Sequence, residues 1–243
     1  MSGSVDVVVV SAEGNVTPRT LEVSRAYNLG SATRDAAEAV HHQEEVARSG
    51  VRIAFDIPAP RIYPLAPWAI TTAERVGVQG PRTSGEVEIV IIVQEDDLLI
   101  GVGSDHTDRD LERTSIVWSK QACPNVIAPE VWRWAEIRDH WDRCTLWSDL
   151  DGSPYQRCGV DVFLDPEELV SIVRDRADMP RSGAVIFSGT YVSVTGELAF
   201  GRHWSFGIED PVLGRRIEHS YELDLLLDEV EAPFRVPLHV GEA

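Results

Sequence analysis

Lysine is nearly missing from this chain. Of 22 basic residues among 243, 21 are arginine, and Lys120 is the only lysine. Cations as a whole are scarce, because the 22 face 40 acidic side chains and the formal net charge is −18. That balance excludes a general phosphate-binding surface, since neutralising a nucleic-acid backbone or an anionic membrane takes clustered basic residues. No nucleic-acid or membrane partner is expected. Cysteine is scarce too: Cys123, Cys144 and Cys158 are odd in number, widely spaced and form no CxxC pair. This excludes a disulfide framework or zinc knuckle and fits a reducing, cytoplasmic address. Long apolar runs are also missing. Stretches such as Val7 to Val10 and Ile89 to Val93 are strand-sized, and the N-terminus lacks the basic region of a signal peptide.

What is present reads as α+β. Residues 4–10 suggest an opening strand. Thr33 can cap a helix from Arg34 to about Ser49, ended by Gly50. The proline-rich stretch 51–70 reads as an extended connection. Glu86 to Val93 and Leu98 to Gly103 read as a hairpin. Thr107 or Asp108 can cap a helix to about Trp118, Pro129 to Arg138 looks helical, and Asp165-Pro166-Glu167-Glu168 opens a helix to about Arg176. Strands are then predicted at Ala184–Phe187, Tyr191–Val194, Trp204–Glu209 and Arg216–Leu225. The expectation is one domain over 1–243, with a strand, a helix and a connection in 1–80 and a β-rich body in 81–243. Five tryptophans between Trp118 and Trp147 read as packing, since no basic groove accompanies them.

The hairpin carries the chemistry. Glu86 and Glu88 are two apart, so on a strand they share a face. The following Ile89-Val90-Ile91-Ile92-Val93 is apolar on both faces, which implies burial. A turn at Glu95-Asp96 sets Glu86 opposite Asp105; a turn at Asp96-Asp97 sets Glu88 opposite Asp105. Either register gathers three carboxylates at one end of a buried hairpin. Carboxylates that close repel and need a proton, a cationic side chain or a metal ion. An all-oxygen set suits a hard divalent cation, Mg2+, Mn2+ or Ca2+, better than zinc. Rival motifs fail: Gly101-Val102-Gly103 lacks the third glycine of a dinucleotide loop, the aspartates at 105, 108 and 110 miss EF-hand spacing, and there is no GxSxG or HExxH.

These residues resemble the fumarylacetoacetate hydrolase superfamily, in a divergent branch. Its E-x-E strand reads here as Glu86-Val87-Glu88. Its A-N-D-x-[ST]-x-R-[DE]-x-Q segment reads as Gly103-Ser104-Asp105-His106-Thr107-Asp108-Arg109-Asp110-Leu111-Glu112, followed by its lysine at Lys120. Its pGDvIxTGT turn reads as Arg181 to Thr190, and the H-x-x-E of its lid helix as His42-Gln43-Glu44-Glu45. The chain departs in lacking lysine in Ile62-Tyr63-Pro64-Leu65 and in having Glu112 for glutamine and Tyr191 for proline. The resemblance implies a mixed β-sandwich roll with short peripheral helices, usually homodimeric. It implies Mg2+ or Mn2+ on Glu86, Glu88 and Asp105, and catalytic roles for His42, Glu45 and Lys120. Arg109, Gly189 and Thr190 become substrate contacts. The implied activity is hydrolysis of a carbon–carbon bond in a small 2-oxo or 1,3-dicarbonyl acid through an enolate. Decarboxylation, hydration or isomerisation on the same centre is the alternative within enzymes, and a non-catalytic metal-binding or assembly protein the alternative outside them.

Overall fold

The computed structural model describes residues 2–35 and 57–238. The first strands are β1 (Gly3–Val10), β2 (Val16–Val23), β3 (Arg25–Gly30), β4 (Arg61–Leu65), β5 (Ile70–Thr71), β6 (Arg75–Val78) and β7 (Thr83–Ser84). Then come β8 (Val87–Val93), β9 (Leu98–Asp105) and β10 (Thr107–Asp108), followed by helices α1 (Arg109–Glu112) and α2 (Ile116–Ala122). The middle of the chain holds β11 (Asn125–Ile127), β12 (Glu130–Arg133), α3 (Trp134–Ile137), β13 (Thr145–Leu150), β14 (Ser153–Gly159) and α4 (Pro166–Arg176). Last are β15 (Ala184–Phe187), β16 (His203–Asp210) and β17 (Arg215–Leu225).

Two sheets organise these strands. Ten belong to a mixed sheet whose main path runs β2-β1-β12-β9-β8-β15-β3-β4, with β11 and β5 joined through β9; five form a second sheet, β14-β13-β16-β17-β6. Alternation along the hairpin β8/β9 separates two cores. Val87, Ile89, Ile91, Val93, Ile100 and Val102 face one that also holds Leu146, Trp204, Phe206, Ile217 and Tyr221 of the second sheet. Val90, Ile92 and Leu99 face another, with Val5, Val7 and Val9 of β1, Leu65 of β4, Val131 of β12 and Phe187 of β15. The second core draws on strands of the larger sheet throughout, so that sheet curls round its own interior into a roll. The smaller sheet packs on the outside of the roll, and this is the mixed α+β sandwich roll expected.

The hairpin turns at Glu95-Asp96: Gln94 N–H donates to Asp97 O at 2.9 Å, and the ladder sets Val87 against Ser104 and Glu88 against Gly103. Asp105 N–H then donates to Glu86 O at 2.9 Å, which places Glu86 opposite Asp105, the first of the two registers. Gly103 is required here, because a Cβ on it would lie within 2.9 Å of Val90, Phe187 and the Val126 carbonyl.

Three elements differ from expectation. The helix after Asp108 is broken in two. Asp108 accepts from the N–H groups of Asp110 and Leu111, and then Ser115, accepting from Trp118 N–H, starts a second helix. Residues 129–138 hold β12 before the short α3, because Val131 and Trp132 find partners in β1 and β9. Tyr191–Val194 is a loop: Val194 N–H donates to Tyr155 O of β14 at 2.8 Å, but no strand ladder forms, and Val192 and Val194 are exposed. The helix expected from Arg34 to Ser49 lies, from residue 36 on, outside the described residues, and Thr33 itself forms a β-bridge with Phe163. The helix opened by Asp165 is α4, capped by that carboxylate on Glu168 N–H.

Candidate metal centre

The mouth of the roll brings Glu86, Glu88 and Asp105 together. One carboxylate oxygen from each lies within 4.8 Å of the other two, an arrangement able to hold a metal ion. Glu86 stands just ahead of β8 and carries two cations: Arg109 Nη2 at 2.8 Å from Oε1 and Lys120 Nζ at 2.9 Å from Oε2. Lys120 also donates to Asp105 Oδ2 and, at 3.5 Å, to Thr107 Oγ1. The short α2 sets this up, turning Ser119 and Lys120 inward and Trp118 out. Glu88 is held on one oxygen only: Oε2 accepts from Gly189 N–H at 2.8 Å and from Asn28 Nδ2 at 3.2 Å. Gly189 has φ +82°, which aims its N–H at that oxygen, and its Cα sits close against Leu29 O.

Glu88 Oε1 and Asp105 Oδ1 have no hydrogen-bond partner although both are buried. Buried carboxylate oxygens are rarely left unpaired, since each forfeits its hydration for nothing. The charges tell the same story. Arg109 pairs with Glu86 and Glu112, and Lys120 with Glu86 and Asp105, so with Glu88 also ionised the two cations would face four carboxylates and leave two negative charges for a divalent ion to neutralise. An oxygen-only donor set with two free buried oxygens fits a hard divalent cation.

The acids differ in proton affinity accordingly. Burial works against ionised Glu86, but Arg109 and Lys120 outweigh it and hold the carboxyl well below the usual range. Glu88 is pushed well above it by burial and then by the charge of Asp105. Asp105 is raised to about 6, burial exceeding the pull of Lys120. Burial alone would deprotonate Lys120, yet Asp105, Glu86 and Glu88 raise its affinity for the proton well above normal, so it is an ammonium.

The remaining candidates fall as follows. Each nitrogen of Arg109 is engaged by protein: Nε donates to Ser84 Oγ at 2.7 Å, Nη1 to Glu112 at 3.0 Å, and Nη2 pairs with Glu86. These contacts hold Glu86 and Glu112 in place. Gly189 spends its N–H on Glu88. Thr190 Oγ1 donates to Val87 O at 3.0 Å and accepts from Gln156 Nε2 at 2.8 Å. His42 and Glu45 lie outside the described residues. His106 turns from the triad to the other sheet, with Nδ1 at 2.8 Å from Tyr221 OH and Nε2 at 2.8 Å from Thr83 Oγ1; burial lowers its pKa to about 3, so it is neutral.

Sequence reasoning missed Asn28, Asn125 and Gln156. Asn28 arrives through β3 lying parallel to β15, a pairing that no short-range pattern announces. Gln156 takes Val87 N–H on Oε1 at 2.9 Å, gripping the residue between the two glutamates. The one local signal was polarity inside β-prone stretches. A surface depression of about 610 Å³ on β13 and β14, lined by Trp147, Arg157 and Cys158, is separate from all of these residues.

Solved structures share this fold. The fumarylpyruvate hydrolase from Pseudomonas aeruginosa, solved with Mn2+ and pyruvate, is 18% identical over 90% of this chain and 96% of that one, with a TM-score of 0.60. A yeast fumarylacetoacetate hydrolase family protein is 13% identical over 83% of this chain and 93% of its own, with a TM-score of 0.59. A 2-keto-3-deoxyarabinonate dehydratase is 14% identical over 85% and 76%, at 0.57. The fold is therefore that of the fumarylacetoacetate hydrolase proteins, in a divergent form. Within it the chain belongs to the family described as protein of unknown function (DUF2848), whose model matches residues 29–221. No curated protein matches the chain. Among the described residues no helix is long and apolar enough to cross a membrane.

Proposed function

We propose that the chain is a divalent-metal-dependent hydrolase that cleaves a carbon–carbon bond in a small 2-oxo or 1,3-dicarbonyl acid, working as a cytoplasmic homodimer with Mg2+ or Mn2+. The observation that carries this is the pair of unpaired buried oxygens, Glu88 Oε1 and Asp105 Oδ1, in a cluster of three carboxylates. Glu86, Glu88 and Asp105 would hold the ion. When bound, such a cation polarises a carbonyl and stabilises negative charge developing on oxygen. Lys120 favours the ionised forms of Glu86 and Asp105 and adds a positive charge beside the reacting oxygen. Arg109, Gly189 and Thr190 support this by fixing Glu86, Glu88 and the Val87 backbone. His42, oriented by Glu45 at i+3 on the expected helix, is assigned the activation of water.

One observation favours a second reading, a hydratase, decarboxylase or isomerase. The one histidine among the described residues beside the triad, His106, is occupied on both nitrogens, so water activation rests wholly on His42. Calorimetry with Mn2+ or Mg2+ tests the metal site. Protein that binds neither ion, with Glu88→Ala as stable as wild type, would remove it. An acylpyruvate panel followed by mass spectrometry separates the reactions: two products for the hydrolase, an isobaric one for the isomerase. Turnover unchanged in His42→Ala would exclude His42 as the base.

A further inference from the structure

Two buried amides at the mouth of the roll have hydrogen-bonding capacity that no protein group uses. Asn28 is 1% exposed and Asn125 is 0% exposed. Asn28 gives Nδ2 to Glu88, which fixes its orientation and leaves Oδ1 an acceptor without a donor. Asn125 has neither Nδ2 nor Oδ1 paired. Register fixes its place: Asn125 lies directly opposite Asp105 in the β9/β11 pair, so the two side chains leave the sheet on the same face, their Cβ atoms about 4.5–5.5 Å apart. An unsatisfied buried polar group costs about 1–3 kcal/mol. Three such atoms beside a cluster already short of a cation point to a ligand that supplies what the protein does not.

The inventory of free atoms narrows that ligand. Glu88 Oε1 and Asp105 Oδ1 are accounted for by the cation. Two amide acceptors remain, Asn28 Oδ1 and Asn125 Oδ1, with the donor Asn125 Nδ2 beside them and a further unpaired donor, Gln121 Nε2, on α2. An acid whose oxygens are all carbonyl or carboxylate could use the donor but would leave both acceptors bare. We propose that the site takes an oxo acid bearing a hydroxyl group, and that Asn125 is the residue that reads it, accepting the hydroxyl proton on Oδ1 while Nδ2 donates to an oxygen of the same molecule. Asn28 Oδ1 is the second acceptor, available to a further hydroxyl. This deepens the reading of a divalent-cation site for a small oxo acid and rests on it.

The test compares pyruvate with hydroxypyruvate, which differ by one hydroxyl, binding to Mn2+-loaded protein in a calorimeter. Wild type is expected to bind hydroxypyruvate at least about tenfold more tightly, because a site built around a hydroxyl is left with bare polar atoms by the analogue lacking it. Asn125→Leu should shrink the difference to within about threefold by weakening hydroxypyruvate far more than pyruvate, which loses only the Nδ2 contact, with Mn2+ affinity held within about threefold. If that variant fails to fold, Asn125→Ala, which only removes atoms, takes its place. Equal affinity of wild type for both acids, with Mn2+ binding intact, would overturn this inference and leave the metal site standing. So would an Asn125 variant that weakens both acids alike, which would make it a shape-holding residue. Failure of wild type to bind Mn2+ would overturn both.

Discussion

The hairpin β8/β9 has two sides that carry equally polar residues in opposite conditions. Toward the second sheet, Ser104, His106, Tyr221 and Gln156 are fully engaged: Tyr221 OH bridges Ser104 and His106, and Gln156 ties Val87 N–H to Thr190. Toward the roll interior, Glu88, Asp105, Asn28 and Asn125 each keep at least one buried polar atom unpaired. The backbone is shared and the burial is the same. On the first side these polar groups bond one another, with Trp204 Nε1 beside His106 the exception; on the second, Glu88 Oε1, Asp105 Oδ1, Asn28 Oδ1 and both polar atoms of Asn125 have no partner. A closed network beside an open one is how a rigid support and a receptive site are told apart when both are polar.

The sharpest way to break this contrast is Glu88→Gln. It removes one anionic ligand, so Mn2+ affinity should drop by at least about 100-fold. The apo protein should melt no lower than wild type, because a buried acid that disfavours ionisation has been replaced by a neutral amide. A melting temperature that falls sharply without metal would mean that Glu88 is structural. Lys120→Arg comes next. The planar guanidinium cannot replace a compact ammonium pressed against two carboxylates, and the extra volume costs about 1–3 kcal/mol. Turnover on any acid that wild type consumes should be lost, and wild-type turnover in this variant would deny Lys120 its assigned place.

Acidity gives a milder handle. Folded Asp105 holds its proton up to about 6, above the ordinary value near 3.9, so between those values the folded state binds more protons than the unfolded one. Apo stability should therefore fall as pH rises through that window. Metal must displace that proton and the one Glu88 holds, so Mn2+ affinity should fall by at least about tenfold per unit below pH 6, and the thermal shift produced by Mn2+ should be larger at pH 7.5 than at pH 5. Equal shifts at both values would show that Asp105 does not bind the ion. The smallest effect belongs to the closed side. Tyr221→Phe unpairs Ser104 and one nitrogen of His106 and should cost about 1–3 kcal/mol in urea denaturation, with Mn2+ affinity unchanged within about threefold. A large loss of metal affinity there would mean that the two sides are not separable.

Much of the open side was legible in the chain. Glu86 and Glu88 share a face by spacing, the four polar residues 94–97 announce the turn, and one of the two resulting registers is the one observed. Lys120 was found because its segment follows a known order of motifs. The amides were not legible, because Asn28 and Asn125 reach the site through β3 against β15 and β11 against β9. Those pairings are fixed by how the sheet curls, which period-two patterning does not encode. Local propensity misled at Pro129–Arg138, where one turn of helix and one strand share a stretch, and at Tyr191–Val194, whose valines look strand-like but make only a single backbone bond to β14, Val194 N–H to Tyr155 O.

The single lysine has a practical consequence. Lys120 is 7% exposed and held as an ammonium by the acids around it, so it is doubly protected from acylating reagents. Apart from the chain's α-amine, the native protein offers such reagents no other amine. A second acyl group that peptide mapping places on Lys120 therefore reports opening of the site, and its rate of appearance measures how often Lys120 leaves Glu86 and Asp105. A bound cation or acid that slows that labelling is detected without a substrate, an assay or a mutation.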